Sequence, residues 1–179
     1  MSNRQEQPLQ GSCLPYRPCV GVMVLNRGGL VWVGQRADMP GDAEGPGAWW
    51  QMPQGGIDHG EVPRRAALRE VYEETGMRSL QILGETQHWL TYDLPEELIG
   101  VAWGGKYRGQ RQKWFAMRFT GNETEIDISP RNGHDIEFQA WRWCSVDVLA
   151  DSIVSFKRQV YLAVVAELGR FAQPIATQR

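Results

Sequence analysis

Residues 55–77 of the chain read GGIDHGEVPRRAALREVYEETGM, a stretch that joins a glycine-rich beginning to a run of carboxylates. A helix turns by about 100° per residue, so the side chains of Glu70, Glu73 and Glu74 share roughly 100° of one helix face. Like charges at these spacings repel each other, and a positive partner is therefore expected in front of them. Divalent cations, which prefer oxygen ligands, are the natural candidates.

The other side of this helix is predicted to pack against the rest of the fold. The side chains on this side span roughly 140° of arc around the helix axis. They belong to Ala67, Leu68, Val71, Tyr72 and Thr75. Pro63 suits the first turn of a helix and Gly76 suits a carboxyl-terminal cap, so these two residues bound the predicted helix. Gly55, Gly56 and Gly60 mark a tight loop before it, where the backbone can approach a ligand.

The same stretch resembles the Nudix box of the Nudix hydrolase family. Gly55, five further residues, Glu61, seven further residues and then REVYEETGM at residues 69–77 match the box at every fixed position. The alternative, an ordinary amphipathic helix with a charged outer face, explains neither the glycine loop nor Arg69. The resemblance implies hydrolysis of a nucleoside diphosphate linked to another group, with Mg²⁺ or, as the alternative ion, Mn²⁺. The metal site that it implies consists of Glu70, Glu73, Glu74 and Gly55, and the three glutamates are also expected to be catalytic.

The composition of the chain is that of an ordinary globular protein. A length of 179 residues fits one domain, and a net charge of −2 provides no global field that would draw the protein to nucleic acid. The three cysteines have neither metal-ligand spacing nor a disulfide pattern, which favours a reduced, cytoplasmic setting. We expect a disordered tail at residues 1–15, a single domain at residues 16–179 and no membrane attachment. The sequence leaves the oligomeric state open, and a monomer is our expectation.

Strands are expected to alternate with two main helices. Patterns typical of strands occur at residues 19–25, 30–36, 49–52, 80–90, 113–119 and 137–143. A last helix is predicted at residues 156–171, where apolar residues recur at helical spacing. This order predicts an α/β layer fold. It agrees with the α/β/α sandwich, with a mixed sheet between helices, that the resemblance implies.

Segments outside the box are more specific about the substrate. They are YRPCVG at 16–21, WQMPQGGI at 50–57, WLTYDLP at 89–95, GQRQKWF at 109–115, EFQAWRW at 137–143 and SFKR at 155–158. Together they resemble the bacterial RNA 5′-pyrophosphohydrolases, which leave a 5′-monophosphate on RNA. That group is very similar in sequence to the dinucleoside polyphosphate hydrolases, which yield ATP and AMP from diadenosine tetraphosphate. A binding module without activity would have a damaged box, and this box is intact.

Basic residues are expected to bind the phosphates, because a 5′-triphosphate carries about four negative charges. The candidate donors are Arg17, Arg36, Lys106, Arg108, Arg111 and Lys113. Each of them could instead be a solvated surface charge. The resemblance also implies that Glu137 reaches the metal and takes part in catalysis, whereas the alternative for this residue is an ordinary carboxylate at the end of a strand. Arg69 is expected to orient the box carboxylates from behind.

The base next to the phosphates is expected to contact the start of the last helix. The resemblance implies that Phe156 and Arg36 hold the base between them and that Val154 and Lys157 contact it. Stacking of a base on an aromatic ring or a guanidinium group is physically sensible and tolerates many bases. The alternative is that Phe156 anchors the core and that Lys157 is a solvated charge.

Overall fold

The structure is a computed structural model that describes residues 13–37, 49–130 and 136–175. Residues 1–12 of the predicted tail lie outside the described residues, so the expectation of disorder there stays a prediction, as does the assignment of residues 16–179 to a single domain. No helix in the described ranges is both long enough and apolar enough to cross a membrane.

A mixed sheet forms the centre of the molecule. In the described part of the chain it has eight strands: β1 Tyr16–Leu25, β2 Val31–Arg36, β3 Trp50–Gln51, β4 Gln54–Gly56, β5 Leu80–Glu85, β6 Leu90–Asp93, β7 Gly109–Phe119 and β8 Phe138–Cys144. The central path runs β3-β2-β1-β7-β5, with β4 paired to β1, β6 to β7 and β8 to β2. β1 and β7 are parallel and in register along the whole of β1, while the other pairs are antiparallel.

Helices cover both faces of this sheet. Side chains alternate between the two faces along a strand. Val20, Val22 and Val24 of β1 therefore pack with helix α1, Pro63–Thr75. Met23 and Leu25 point the other way and pack with α2, Leu149–Ser152, and α3, Arg158–Leu168. The two apolar clusters confirm the predicted helix–sheet–helix sandwich.

The predicted ends of α1 are confirmed, but its buried face is rotated from the prediction. The helix begins with Pro63 and ends at Gly76, whose φ of 76° is left-handed. Leu68 was predicted to be buried. This prediction is wrong, because Leu68 is 38% exposed, whereas Ala66 is buried. The helix turns Glu70 rather than Leu68 toward the sheet, so the carboxylate side packs on β4 instead of facing solvent.

Several strand boundaries also differ from the predicted ones. The single strand expected at residues 80–90 is two strands, β5 and β6, which both pair with β7. β7 begins at Gly109 rather than at Lys113, because it has partners on both sides from its first residue. The last helix is shorter than predicted, since α3 is flanked by 3₁₀ turns at Ser155–Lys157 and Gly169–Phe171.

The pairing of β1 with β7 requires a small residue opposite a large one. Gly21 of β1 lies beside Trp114 of β7, and a Cβ at Gly21 would be 2.4 Å from Cε2 of the indole ring. Both residues are in the buried centre of the sheet, so neither has room to move away.

We therefore predict that Gly21→Ala lowers the free energy of unfolding by about 1–3 kcal/mol, because it overpacks the core. Urea denaturation of both proteins measures the difference. Gly28→Ala is the matched control, since its Cβ would meet only the side-chain oxygen of Asn26, at 3.3 Å. The control is expected to change stability by less than about 0.5 kcal/mol. Equal stability of the two variants would contradict the packing argument.

Candidate active site

A cavity of about 450 Å³ opens between α1, β4 and the ends of the central strands. The residues that line it are Arg17, Arg36, Gln54, Gly55, Gly56, Asp58, Arg69, Glu70, Glu73, Glu74, Trp103, Gln110, Ile128, Ser129, Pro130 and Glu137. The structure therefore brings the box carboxylates together with Glu137 and with two of the predicted phosphate donors.

Arg69 binds several carboxylates at once. Its Nη2 donates to Glu61 Oε2 at 2.7 Å, and its Nη1 donates to Glu70 Oε1 at 2.8 Å and to Glu73 Oε2 at 3.0 Å. Nη2 also donates to the Gly56 carbonyl oxygen at 2.8 Å, which ties the loop to the helix. The hydrogen bond from Arg69 lowers the pKa of Glu61 and helps to keep that carboxylate ionised.

Two of the box carboxylates are held in an environment that disfavours their charge. Burial raises the pKa of Glu74 well above its ordinary value, and the nearby charges of Glu137 and Glu70 raise it further. Its Oε2 accepts one hydrogen bond, from the backbone N–H of Gln54 at 3.2 Å. Burial also raises the pKa of Glu70, although Arg69 partly offsets the effect. An added positive charge nearby would therefore stabilise the ionised form of both carboxylates.

Gly55 allows the backbone of β4 to approach α1. A Cβ at this position would be 2.0 Å from Cδ of Glu70, which is an impossible contact for the present arrangement. Any larger residue at position 55 would therefore have to push the carboxylate aside. The glycine predicted to be part of a metal site thus lies directly against one of the predicted ligands.

The positive side of the cavity is formed by arginines from β1 and β2. Arg36 forms an ion pair with Glu137, which joins the predicted base-stacking residue to the predicted catalytic carboxylate. Arg17 lies against Gly56 and under Trp103, with its guanidinium carbon 5.7 Å from the ring centroid. Phosphate groups in this cavity would therefore meet guanidinium groups as well as carboxylates.

Three of the predicted base-binding residues, Val154, Phe156 and Lys157, do not line this cavity, whereas the fourth, Arg36, does. The Phe156 ring packs against Tyr92, with ring centroids 5.5 Å apart, and Val154 is buried in the core. Lys157 is buried with its Nζ 5.6 Å from the Tyr92 ring centroid. Burial lowers the pKa of Lys157 to about 8, with a further decrease from the positive charge of Arg36. Val154, Phe156 and Lys157 therefore lie outside the cavity lining, and their base-binding role stays a prediction.

Two predicted phosphate donors, Arg111 and Lys113, project from the face of β7 that is opposite to the Gln110 side chain. The guanidinium carbon of Arg111 is 4.7 Å from the Trp89 ring centroid. Lys113 forms an ion pair with Glu85 at 3.2 Å and donates to the Thr86 carbonyl oxygen. Strand alternation places these two side chains away from Gln110, which lines the cavity. Their role as substrate contacts also stays a prediction.

The other two basic candidates lie outside the cavity lining as well. Lys106 is exposed, and Arg108 Nε donates to Asp93 Oδ1 at 2.7 Å.

Sequence reasoning missed neutral residues of the cavity, among them Gln54, Gln110 and Trp103. Gln54 and Gln110 belong to segments that carry the resemblance, but neither side chain has a charge that would mark it as a contact to phosphate or metal. The period-two spacing of Gln110 and Gln112 was a usable signal, since it places both amides on one face of a strand.

The donor set fits a divalent cation, although it is arranged around arginines. Within residues 13–37, 49–130 and 136–175, no three His, Cys, Asp or Glu side chains form a ready ligand set. Glu70 and Glu73 are bound to Arg69, and Glu137 is bound to Arg36. Carboxylate oxygens with raised pKa values are suitable ligands for a hard cation once they turn toward it.

Comparisons with known proteins show the family of the chain. A family model described as the NUDIX domain matches residues 15–164. A protein of Brucella anthropi named RNA pyrophosphohydrolase is 55% identical over 166 residues, which cover 92% of this chain and 95% of that protein. A protein of the same name from Brucella ovis is 58% identical over 161 residues, or 89% of this chain and 90% of the relative.

Solved structures share the fold at low sequence identity. A C. elegans Ap4A hydrolase in a binary complex is 19% identical, with a TM-score of 0.57 over 84% of this chain and 96% of its own. The E. coli dihydroneopterin triphosphate pyrophosphohydrolase is 21% identical, with a TM-score of 0.61 over 85% of this chain and 98% of its own. At these identities the likeness shows the fold alone.

The raised pKa of Glu74 leads to a prediction about stability without metal. The folded state binds more protons than the unfolded state between the ordinary glutamate pKa and the raised one, so stability falls as pH rises through that window. Glu74→Gln removes the buried charge and is expected to raise the free energy of unfolding at about pH 7 by about 1–3 kcal/mol. The gain should disappear at about pH 4, where the wild-type carboxyl is protonated in both states.

Urea denaturation in EDTA at the two pH values measures this effect. Glu97→Gln is the control, because Glu97 is exposed and its substitution should change stability by less than about 0.5 kcal/mol at either pH. A loss of stability in Glu74→Gln at neutral pH would contradict the assignment of an uncompensated buried charge.

Proposed function

The chain is a member of the NUDIX domain family, and on that basis we propose that it removes pyrophosphate from the 5′-triphosphate end of RNA and leaves a 5′-monophosphate. The observation that carries the proposal is the high identity, over nearly the whole chain, to relatives named RNA pyrophosphohydrolase. The cavity supports it, because arginines and carboxylates lie together there, as a phosphoanhydride and a cation require.

NUDIX hydrolases in general use divalent metals, and Mg²⁺ is the ion that we propose, with Mn²⁺ as the alternative. The residues that would hold it are Glu70, Glu73, Glu74 and Glu137, with Gly55 contributing backbone. When bound, the cation would neutralise phosphate charge and make the phosphorus more susceptible to attack. Glu70, Glu73 and Glu137 each bind arginine through one carboxylate oxygen, and the other oxygen would be available to the ion.

The protein side chains have separate roles in this proposal. A cavity carboxylate accepts the proton of the attacking water. Arg17 and Arg36 donate to phosphate oxygens and stabilise the charge that develops during the reaction. Arg69 keeps the carboxylates in place.

Contacts to the rest of the substrate form a further part of the proposal. Arg36 and Phe156 hold a base, with Val154 and Lys157 beside it, which requires Arg36 to release Glu137. Arg111 and Lys113, on the other face of β7, would contact the RNA at a distance from the reacting phosphates. We also propose a monomer in a reducing, cytoplasmic setting. The free thiols of Cys13, Cys19 and Cys144 agree with that setting.

Hydrolysis of a dinucleoside polyphosphate is the second candidate function. A diadenosine tetraphosphate bridge also carries about four negative charges, and the same arginines and carboxylates would bind it. The two functions are separated by the ratio of their kcat/KM values, because this ratio compares the stabilisation of the two transition states.

The direct test is incubation of the purified protein with 5′-triphosphorylated RNA and Mg²⁺. We expect monophosphorylated RNA to appear, and we expect EDTA to stop the reaction. Diadenosine tetraphosphate at the same phosphate concentration is the comparison substrate. Rapid cleavage of the dinucleotide without any monophosphorylated RNA would replace the first candidate by the second.

The carboxylate assignment is tested by Glu73→Gln, which keeps the shape of the side chain and removes its charge. We expect turnover of triphosphorylated RNA to fall by roughly 100-fold or more. Circular dichroism should show an unchanged fold. Glu97→Gln removes an exposed carboxylate and should retain wild-type turnover. Full activity of Glu73→Gln would exclude Glu73 from the catalytic site.

A further inference from the structure

A row of uncharged polar side chains leads from the cavity into the core. Gln110, Gln112 and Trp114 follow one another at alternate positions of β7 and therefore share one face of the strand. Gln54 of β4 joins them from the side. Gln110 is 5% exposed and Gln54 is 9% exposed, and both line the cavity, whereas Gln112 and Trp114 lie behind them.

Hydrogen bonds connect these side chains in sequence. Trp114 Nε1 donates to Gln112 Oε1 at 2.9 Å. Gln112 Nε2 donates to Gln110 Oε1 at 2.7 Å, and it makes a longer contact of 3.5 Å with Gln54 Oε1. We call this chain of four side chains the glutamine relay.

The tryptophan sets the direction of the glutamine relay. An indole N–H can donate a hydrogen bond but cannot accept one. Gln112 must therefore turn its oxygen toward Trp114 and its amide N–H groups toward Gln110. Gln110 must in turn present its oxygen to Gln112, which leaves its own amide N–H groups directed to the cavity. The reverse orientation of either amide would place two donors or two acceptors against each other.

The relay therefore ends in donors without partners. Neither Nε2 of Gln110 nor Nε2 of Gln54 is hydrogen-bonded to any residue within the described ranges. Both side chains line the cavity, so their amide N–H groups are available to acceptor atoms of a ligand bound there. Arg17, the register partner of Gln110 on β1, faces the same cavity.

We propose that Gln110 and Gln54 donate hydrogen bonds to phosphate oxygens of the substrate, and that Gln112 and Trp114 are positioning residues that hold the Gln110 amide in its donating orientation. This inference rests on the proposed function of the cavity. Neutral donors suit the place, because Glu74 accepts from the backbone of Gln54 nearby. A further cation there would compete with a metal ion for that carboxylate, whereas an amide would not.

The test is a double-mutant cycle on steady-state hydrolysis of 5′-triphosphorylated RNA at saturating Mg²⁺. Trp114→Phe removes the indole donor and keeps an aromatic ring, and Gln110→Met removes the amide at similar volume. We expect each to raise KM by roughly 10- to 150-fold, the range for a lost hydrogen bond to a charged group. Since phosphate contacts of this kind act on bound substrate and transition state alike, kcat should change little.

The two substitutions should not be additive, because Trp114 acts through Gln110. In the double variant KM should equal that of Gln110→Met alone. The matched control is Trp143→Phe, which also removes a bonded indole N–H, donated to Glu123 at 2.7 Å outside the cavity lining. Its KM should be that of the wild type. Gln112→Met cuts the relay at its middle and provides the same cycle if Trp114→Phe does not fold.

The outcomes separate this inference from the proposed function. An unchanged KM in Trp114→Phe and Gln112→Met, or KM effects that multiply in the double variants, would overturn the relay while the wild type still hydrolyses RNA. Inactivity of the wild type toward triphosphorylated RNA would overturn the proposed function itself. Thermal unfolding midpoints of all variants, measured first, keep every assay well below the melting range.

Discussion

The parallel pairing of β1 with β7 is the constraint on which the remaining structure depends. Its register, from Tyr16 opposite Gly109 to Leu25 opposite Arg118, fixes which side chains share each face of the sheet. On one face it creates the surface that α1 covers, and on the other it creates the surface for α3. At its beginning it places Arg17 beside Gln110, so the same pairing that builds two cores also builds one wall of the cavity.

The opposite wall of the cavity carries closely spaced carboxylates, and arginines bind several of them. α1 turns Glu70 and Glu74 toward β4, where burial penalises their negative charges. Arg69 binds Glu70 and Glu73 of its own helix and Arg36 binds Glu137, so these carboxylates are held in place. The site is therefore ordered but electrostatically incomplete, a state that favours the arrival of a cation together with a polyanion.

The sequence was sufficient for the fold class and for the carboxylates that line the cavity, but only two of the six predicted phosphate donors line it. The ends of α1 were predictable because Pro63 and Gly76 act locally, through backbone geometry that any context preserves. The exposure of Leu68 was not predictable, because it depends on how closely the carboxylate face of α1 packs against β4 in the folded protein. Likewise, Arg17 and Arg111 are the same residue type in neighbouring strands. Only the direction in which each side chain leaves the sheet decides that Arg17 lines the cavity and Arg111 does not. The sequence does not reveal the glutamine relay, because amides carry no charge and the orientation of Gln110 is set through Gln112 by Trp114, four residues away.

The buried amine of Lys157 has one more consequence, in the exchange of protons with solvent. Its pKa of about 8 means that a fraction of the molecules carry a neutral amine near physiological pH. A polyphosphate bound in front of Arg36 and Glu137 would favour the charged form, since opposite charge raises the pKa of an amine. Substrate binding would then draw protons from the buffer, so its apparent heat would depend on the ionisation enthalpy of the buffer. A single buried lysine would thereby couple the affinity of the enzyme to the acidity of its surroundings.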